Sequence, residues 1–133
     1  MCYSNKMKKL SLYIFLGLLF SSLAFAEWKQ FGEIASRKNG KYFVDTDSII
    51  KETGYLYFWK MLDWEGPDEF GFQSVQIYIK GDCKVRRIKT LSYIFFTGRL
   101  GKGSSDNQEV ANKDWKYPPP GSVDGNLLRY LCK

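Results

Sequence analysis

Residues 72–98, FQSVQIYIKGDCKVRRIKTLSYIFFTG, decide the fold of this chain. In the first part of this segment, apolar side chains alternate with polar or aromatic ones, which is typical of a strand with one buried face. The part from Cys83 onward is again rich in β-branched and aromatic residues. We therefore predict a second strand, paired with the first through a tight turn near Gly81 and Asp82. The alternation slips after the cysteine, and a β-bulge at residues 86–87 would restore it.

The sequence on either side adds strands to this hairpin. Runs rich in aromatic and β-branched residues predict strands at 27–35, 42–45 and 54–64. Residues 46–50 are predicted to form one helical turn. On the other side of the hairpin, residues 99–114 are polar and contain glycines, which predicts a loop, and residues 115–117 can add a brief final strand.

A helix is predicted after the prolines near the end of the chain. Ser122 is a good N-cap for it. One apolar stripe then follows at helical spacing and ends at Cys132; its members are Val123, Leu127, Leu128 and Leu131. The predicted fold class is therefore α+β, a small antiparallel β-sheet with a C-terminal α-helix.

Residues 1–26 are predicted to be a signal peptide. Three lysines precede a long apolar run, and Ala-Phe-Ala at 24–26 supplies the small residues that signal peptidase needs. An uncleaved membrane anchor is the alternative, but the apolar run is shorter than the roughly 20 residues that span a bilayer comfortably. Met7 can serve as the start as well as Met1. The remaining 27–133 is predicted to be one domain without a transmembrane segment.

The cysteines left after cleavage form an even pair. Removal of the signal peptide takes away Cys2 and leaves Cys83 and Cys132 in an oxidising compartment. A disulfide between them is the simplest use for both, and in the chain-entropy model a loop of roughly 50 residues is stabilised by about 4 kcal/mol. A metal site would need further ligands, and a catalytic thiol would need a base, yet the chain has no histidine. We expect no metal and no cofactor.

Charge and composition favour a binding protein over an enzyme or a nucleic-acid-binding protein. The signal peptide holds three of the 20 basic residues and none of the 14 acidic ones, so the rest of the chain has a net charge of only +3. This weakly basic balance and the predicted export exclude a nucleic-acid partner. An enzyme would have to use carboxylates. We interpret the close pairs as turn and cap residues; they are Asp45 with Asp47, Asp63 with Glu65, and Asp68 with Glu69.

Two groups of residues are candidate contact surfaces. The first is a basic group whose side chains suit carboxylates and sulfates; it comprises Lys84, Arg86, Arg87 and Lys89. The alternative is a solvated strand face that discourages edge-to-edge aggregation. The second group is aromatic and could bind carbohydrate or peptide, but we interpret it as core packing for a small sheet; it comprises Tyr55, Tyr57, Trp59 and Trp64.

Short motifs in a fixed order complete the sequence picture. They are Trp28, Gly32, YFVDTDSI at 42–49, Trp59, Asp63, DCKVRR at 82–87, Tyr93, Gly101, Gly103, Trp115, PPGS at 119–122 and Cys132. Together they resemble the surface-adhesin protein E family of exported bacterial proteins over nearly the whole mature chain. Where that family usually has proline between the Asp and the Ser-Ile of the first motif, this chain has Thr46 and Asp47.

The resemblance implies a small antiparallel sheet and a C-terminal helix tied together by a Cys83–Cys132 disulfide. It also implies an exported, non-enzymatic, adhesin-like binding protein in the periplasm or at the outer-membrane surface. The expected partners are host extracellular-matrix or serum glycoproteins or an acidic polysaccharide. The alternative is a periplasmic structural or inhibitory module that binds another cell-envelope component. An exposed edge strand would allow a homodimer, although nothing in the sequence requires one.

Overall fold

The computed structural model describes residues 26–34 and 39–133. The predicted signal peptide lies outside the described residues except for Ala26, so it stays a prediction. Within the described residues, no helix is both long enough and apolar enough to span a bilayer.

One antiparallel sheet carries the described part of the chain. Its strands are β1 (Trp28–Ile34), β2 (Gly40–Asp45), β3 (Ile50–Glu52), β4 (Tyr55–Asp63), β5 (Ser74–Asp82), β6 (Arg87–Phe96) and β7 (Ser105–Gln108). The order across the sheet is β1-β2-β4-β5-β6-β7, and β3 pairs with the start of β4. The helix α1 (Val123–Leu131) follows the last strand. The predicted α+β class, with an antiparallel sheet and a C-terminal helix, is confirmed.

The central hairpin differs from the prediction in its turn and in its bulge. The turn comprises residues 83–86 rather than Gly81 and Asp82, because the Asp82 carboxylate accepts the backbone N–H of Lys84 at 3.0 Å and so starts the turn two positions later. The predicted bulge at residues 86–87 is also wrong. The register instead shifts beside Leu91, since Thr90 pairs with Ile79 while Ser92 pairs with Tyr78.

Two further predictions of local structure are corrected. Residues 46–50 form a bend and the start of β3 instead of a helical turn, because the Asp45 carboxylate accepts the backbone N–H of Asp47 at 3.0 Å. The predicted loop 99–114 contains a single 3-10 turn at Arg99–Gly101 and the whole of β7. Every side chain of β7 is exposed, so no apolar alternation marked this strand in the sequence.

The core lies between one face of the sheet and α1. Along β4 the alternate residues Leu56 and Phe58 are buried, and they pack with Leu127, Leu128 and Leu131 of the helix. The helix approaches closely because β5 has Gly81 where a Cβ atom would lie 3.0 Å from a methyl group of Leu128.

Both ends of α1 are fixed. At its start the Ser122 hydroxyl accepts the backbone N–H of Gly125 at 3.1 Å, which confirms the predicted N-cap. At its end Cys132 forms a disulfide with Cys83, whose Cα atom lies 5.4 Å away. The disulfide, also predicted, ties the helix to the turn of the central hairpin.

Candidate functional site

The face of the sheet opposite α1, called here the open face, carries three of the four aromatic residues of β4. Since Leu56 and Phe58 face the helix, the alternation of the strand places Tyr55, Tyr57 and Trp59 on the other side. These rings are half-buried and lie outside the aliphatic core. The prediction that they pack the core is therefore wrong, because a helix covers only one side of this sheet.

One end of the open face is covered by a loop, and we call it the closed end. The side chain of Asp63 is fully buried there, accepting Arg99 Nη2 at 2.8 Å and the backbone N–H of Leu100 at 2.7 Å. Ser74, opposite Asp63 in the ladder, donates its hydroxyl to the carbonyl of Gly98 at 2.7 Å. The Asp63 carboxylate raises the pKa of Arg99, mainly through the hydrogen bond that it accepts from the Arg99 guanidinium. These bonds hold the loop against the sheet over the buried side chains of Asp63 and Ser74.

The other end, which we call the open end, carries a cluster of cations and aromatic rings. We call it the cation–aromatic cluster; its members are Tyr55, Lys80, Arg87, Lys89 and Trp115. The Arg87 guanidinium carbon lies 4.2 Å from the centroid of the Trp115 ring, and Lys89 Nζ lies 4.7 Å from it. Lys80 Nζ lies 4.2 Å from the centroid of Tyr55 and 5.9 Å from that of Trp115. The two rings stack with their centroids 6.2 Å apart.

The sheet register builds this cluster. Lys80 of β5 pairs directly with Lys89 of β6, and both alternate with residues that face the helix. Trp115 is placed beside them by its neighbour Lys116, which exchanges two backbone hydrogen bonds of 2.8 Å with Ile88. The predicted final strand at 115–117 is thus a single β-bridge, and its function in the fold is to position Trp115.

Arg87 is held by an acid at the base of the cluster. Its Nε donates to the carboxylate of Asp82 at 2.9 Å, and the Asp82 side chain is only 8% exposed. Burial raises the pKa of Asp82, but hydrogen bonds from Arg87 and from the backbone N–H groups of Lys84 and Val85 lower it further, so the net pKa lies below its usual value. Arg87 is therefore a fixed structural cation whose charge is largely compensated.

The two lysines are not compensated in this way. Among residues 26–34 and 39–133 the ion pairs involve other cations, namely Lys29, Lys60, Arg87 and Arg99. Like charges directly opposite each other on neighbouring strands repel and destabilise a sheet. Lys80 and Lys89 therefore form a positive site against aromatic rings, without an ion-pair partner in the described part of the chain.

A row of aromatic rings continues from the cluster along the open face. Trp59 of β4 stacks on Tyr78 of β5 with centroids 4.8 Å apart, and Tyr57 lies 6.3 Å from Tyr78. Lys80 Nζ lies 5.7 Å from the centroid of Tyr57 and so joins this row to the cluster. We call Tyr57, Trp59 and Tyr78 the aromatic row. The fourth predicted aromatic residue, Trp64, instead donates its indole N–H to the carbonyl of Phe72 at 2.9 Å.

The structure brings together only half of the predicted basic group. Arg87 and Lys89 lie in the cation–aromatic cluster, whereas Lys84 is exposed in the hairpin turn. Arg86 lines a cleft beside α1 together with Pro118 and Arg129. The group is divided because the turn ends at residue 86 and only the residues after it belong to the strand.

Three members of the cluster were missed by sequence reasoning. Tyr55 was assigned to the core, and Lys80 and Trp115 were given no role in a site. The signal for Lys80 was present: with a turn of four residues at 83–86, Lys80 falls opposite Lys89. Trp115 gave no comparable signal, because it reaches the cluster through an isolated bridge.

The site suits binding by charge and ring contact. In the described residues 26–34 and 39–133, no group of acidic and cysteine side chains is placed to hold a metal ion. Asp45 and Asp68, members of the carboxylate pairs noted above, accept backbone N–H groups of nearby residues, as expected of turn residues.

A sheet covered by one disulfide-bonded helix, with its other face partly free, defines a small α+β surface domain. A family model described as surface-adhesin protein E matches residues 28–133, and the chain belongs to this family. The predicted resemblance is thereby confirmed. Family membership supports an exported, adhesin-like surface protein, and surface adhesins are generally not enzymes.

Solved structures of protein E from Haemophilus influenzae share the fold. One of them matches with a TM-score of 0.61 and 17% identity, covering 76% of this chain and 83% of that chain. A crystal structure of protein E from non-typeable Haemophilus influenzae matches with a TM-score of 0.55 and 19% identity, covering 76% of this chain and 75% of that one. No curated protein gave a sequence match. Identities this low establish a common fold and leave the ligand of this chain to be argued from its own residues.

Proposed function

We propose that this chain is an adhesin-like protein that contacts host extracellular-matrix or serum glycoproteins through its cation–aromatic cluster. Arg87 and Lys89 are the members of the predicted basic group that lie in the cluster. Lys84 and Arg86 flank it at the hairpin turn and add positive charge beside it. The family assignment supports an adhesin-like role, and the cluster supplies a surface to which that role can be assigned.

The observation that carries the proposal is the unpaired lysine pair. Lys80 and Lys89 face each other across two strands, and in the described part of the chain neither forms an ion pair. Such an arrangement costs stability in the free protein. An acidic ligand would remove the repulsion and gain two charge-assisted hydrogen bonds. The rings beneath the lysines would add contact area at small conformational cost.

The first test is binding of the mature protein to immobilised matrix glycoproteins, measured at several salt concentrations. The variant is Lys89→Glu, which reverses one charge of the pair. Its matched control is Lys102→Glu, an exposed lysine in the loop over the closed end. We expect Lys89→Glu to lose binding and its salt dependence, with Lys102→Glu unchanged. Equal binding by both variants would remove the cluster from the proposal.

The second test decides between the proposed role and the periplasmic alternative. Intact cells are treated with a protease, with a known periplasmic protein as the leakage control. Cleavage of the mature domain supports the adhesin role at the outer-membrane surface. Complete protection contradicts it and favours a periplasmic module that binds another envelope component.

A further inference from the structure

We infer that the open face binds an acidic glycan chain, with sugar rings along the aromatic row and acidic groups on Lys80 and Lys89. This inference rests on the proposed function and specifies its ligand: the part of a glycoprotein that is recognised is a sulfated or uronic-acid oligosaccharide rather than the polypeptide.

The first argument is the shape of the site. Tyr55, Tyr57 and Trp59 alternate along β4 on one face, and Tyr78 and Lys80 lie beside them on β5. Alternate side chains on a strand are about 7 Å apart, so the rings extend over about 14 Å along β4. This length suits several consecutive sugars of a linear chain better than it suits one small anion.

The second argument is that the sheet leaves no room for recognition through the backbone. β4 pairs with β5 over its whole length, and its other side pairs with β3 at Tyr55–Tyr57 and with β2 at Lys60–Asp63. β5 pairs in turn with β6, so the site lies over interior strands of the sheet rather than along a free edge. A peptide could not add itself as a strand here, as it can at a free sheet edge. A ligand on this surface would therefore be held mainly by side chains, and the side chains there are aromatic rings and ammonium groups.

The third argument is the combination of these two kinds of side chain. A pyranose ring presents an apolar C–H face that packs on an aromatic ring, while its sulfate or carboxylate groups project from the ring edge. Lys80 joins both parts of the surface, because its Nζ lies 4.2 Å from the Tyr55 centroid and 5.7 Å from the Tyr57 centroid. An acidic sugar stacked on the aromatic row would therefore bring its charge to the lysine pair.

Arg87, whose charge is largely compensated by Asp82, fits the same assignment. Arg87 donates to Asp82 and lies over Trp115, so it holds the ring in place rather than offering a free charge. Lys80 and Lys89 remain as two ammonium groups without an ion-pair partner in the described part of the chain, and the flexible stem of a lysine suits the irregular spacing of sulfates along a glycan better than a rigid guanidinium fork does.

The test is calorimetric titration of the mature protein with size-defined heparin oligosaccharides. Three comparison ligands are used: the same oligosaccharides with their sulfates removed, a neutral oligosaccharide of equal length, and a poly-glutamate peptide of matched charge. We expect the sulfated oligosaccharide to bind best, the desulfated one more weakly, and the neutral one and the peptide weakest. Binding of the peptide as tight as that of the sulfated glycan would overturn the inference.

Two variants separate charge from stacking. Replacing both Lys80 and Lys89 by Gln is expected to weaken sulfated-glycan binding about tenfold, the sum of two exposed charged contacts. The matched control replaces Lys51 and Lys102 by Gln, which makes the same charge change outside the site. Trp59→Leu keeps an apolar side chain but removes the ring, and we expect it to weaken binding to the glycan while leaving any binding to poly-glutamate unchanged.

The outcomes distinguish this inference from the proposed function. If matrix glycoproteins bind equally well after enzymatic removal of their glycans, and the Lys80 and Lys89 double variant still abolishes that binding, the glycan inference is overturned and the proposed site stands. If neither glycan nor glycoprotein binds, both are overturned. A loss of glycoprotein binding on deglycosylation, reproduced by the double variant, supports both.

Discussion

The two ends of the open face each contain a buried aspartate that binds an arginine, but the pair holds a loop at one end and supports a cluster of cations and aromatic rings at the other. At the closed end, Asp63 holds Arg99 and a backbone N–H group; at the open end, Asp82 holds Arg87 and a backbone N–H group. The closed end is completed by the loop that Arg99 begins. At the open end the cation–aromatic cluster adds Lys80 and Lys89 without adding an acid, and in the described part of the chain neither lysine forms an ion pair.

This comparison shows that an aspartate–arginine pair is not by itself evidence of a binding site. Each pair fixes local structure: one anchors a loop, and the other anchors the ring of Trp115 through Arg87. The feature that distinguishes the open end is a surplus of positive charge placed over aromatic rings. The following predictions test this difference, starting with the largest expected effect.

Asp63→Ala is expected to lower the free energy of unfolding by about 2 kcal/mol, because the change removes the acceptor of the Leu100 backbone N–H and of the partly exposed Arg99 guanidinium. Urea unfolding followed by tryptophan fluorescence measures this change. The control is Asp47→Ala, an exposed aspartate whose side chain accepts no hydrogen bond in the structure described here. A loss below about 1 kcal/mol, the range of exposed pairs, would show that the loop is held by other contacts. Glycan binding should persist in the folded fraction, because the closed end lies outside the site.

The sequence predicted the helix side of this molecule better than the open face. Apolar spacing identified Leu127, Leu128 and Leu131, and the capping chemistry of Ser122 identified the start of α1, because both signals are local. The disulfide was predictable because two cysteines remain once the signal peptide is excluded. The apolar stripe, the N-cap and the disulfide were predictable because leucine, serine and paired cysteines each have one structural role that is common in such positions.

The open face was predicted poorly because the neighbours of each residue on this face depend on the pairing register of the strands. Displacing the hairpin turn from 83–86 to Gly81 and Asp82 moves Lys80 away from Lys89 and hides the lysine pair. Tyr57 and Trp59 fit a core as well as a surface, and only the position of the helix decides between the two. Trp115 reaches the site through one isolated β-bridge. A single bridge leaves no alternation of apolar and polar residues in the sequence, so it cannot be predicted from such a pattern.

Asp82→Asn is expected to make stability less dependent on acid. The folded state lowers the pKa of Asp82, so its carboxylate contributes stability above the unfolded-state pKa, and that contribution is lost as the pH falls through the lower folded-state value. The wild type should therefore be more stable than the variant at neutral pH. The difference should shrink between about pH 4 and pH 2, where aspartates become protonated. Thermal unfolding of both proteins across this range measures it; a difference that stays constant with pH would show that Asp82 acts through shape rather than charge.

Lys89→Gln should have the smallest effect on the free energy of unfolding. The informative quantity is how this effect changes with salt concentration. The wild type carries the repulsion between Lys80 and Lys89, which dissolved salt screens at a Debye length of about 3 Å in 1 M salt and about 30 Å in 0.01 M salt. Raising the salt concentration should therefore stabilise the wild type relative to Lys89→Gln by about 0.3 kcal/mol. Lys102→Gln, which removes a lysine with no cation opposite it in the ladder, should show no such relative change. A salt response equal in the two variants would mean that the two ammonium groups do not repel, and the open end would then lose the property that separates it from the closed end.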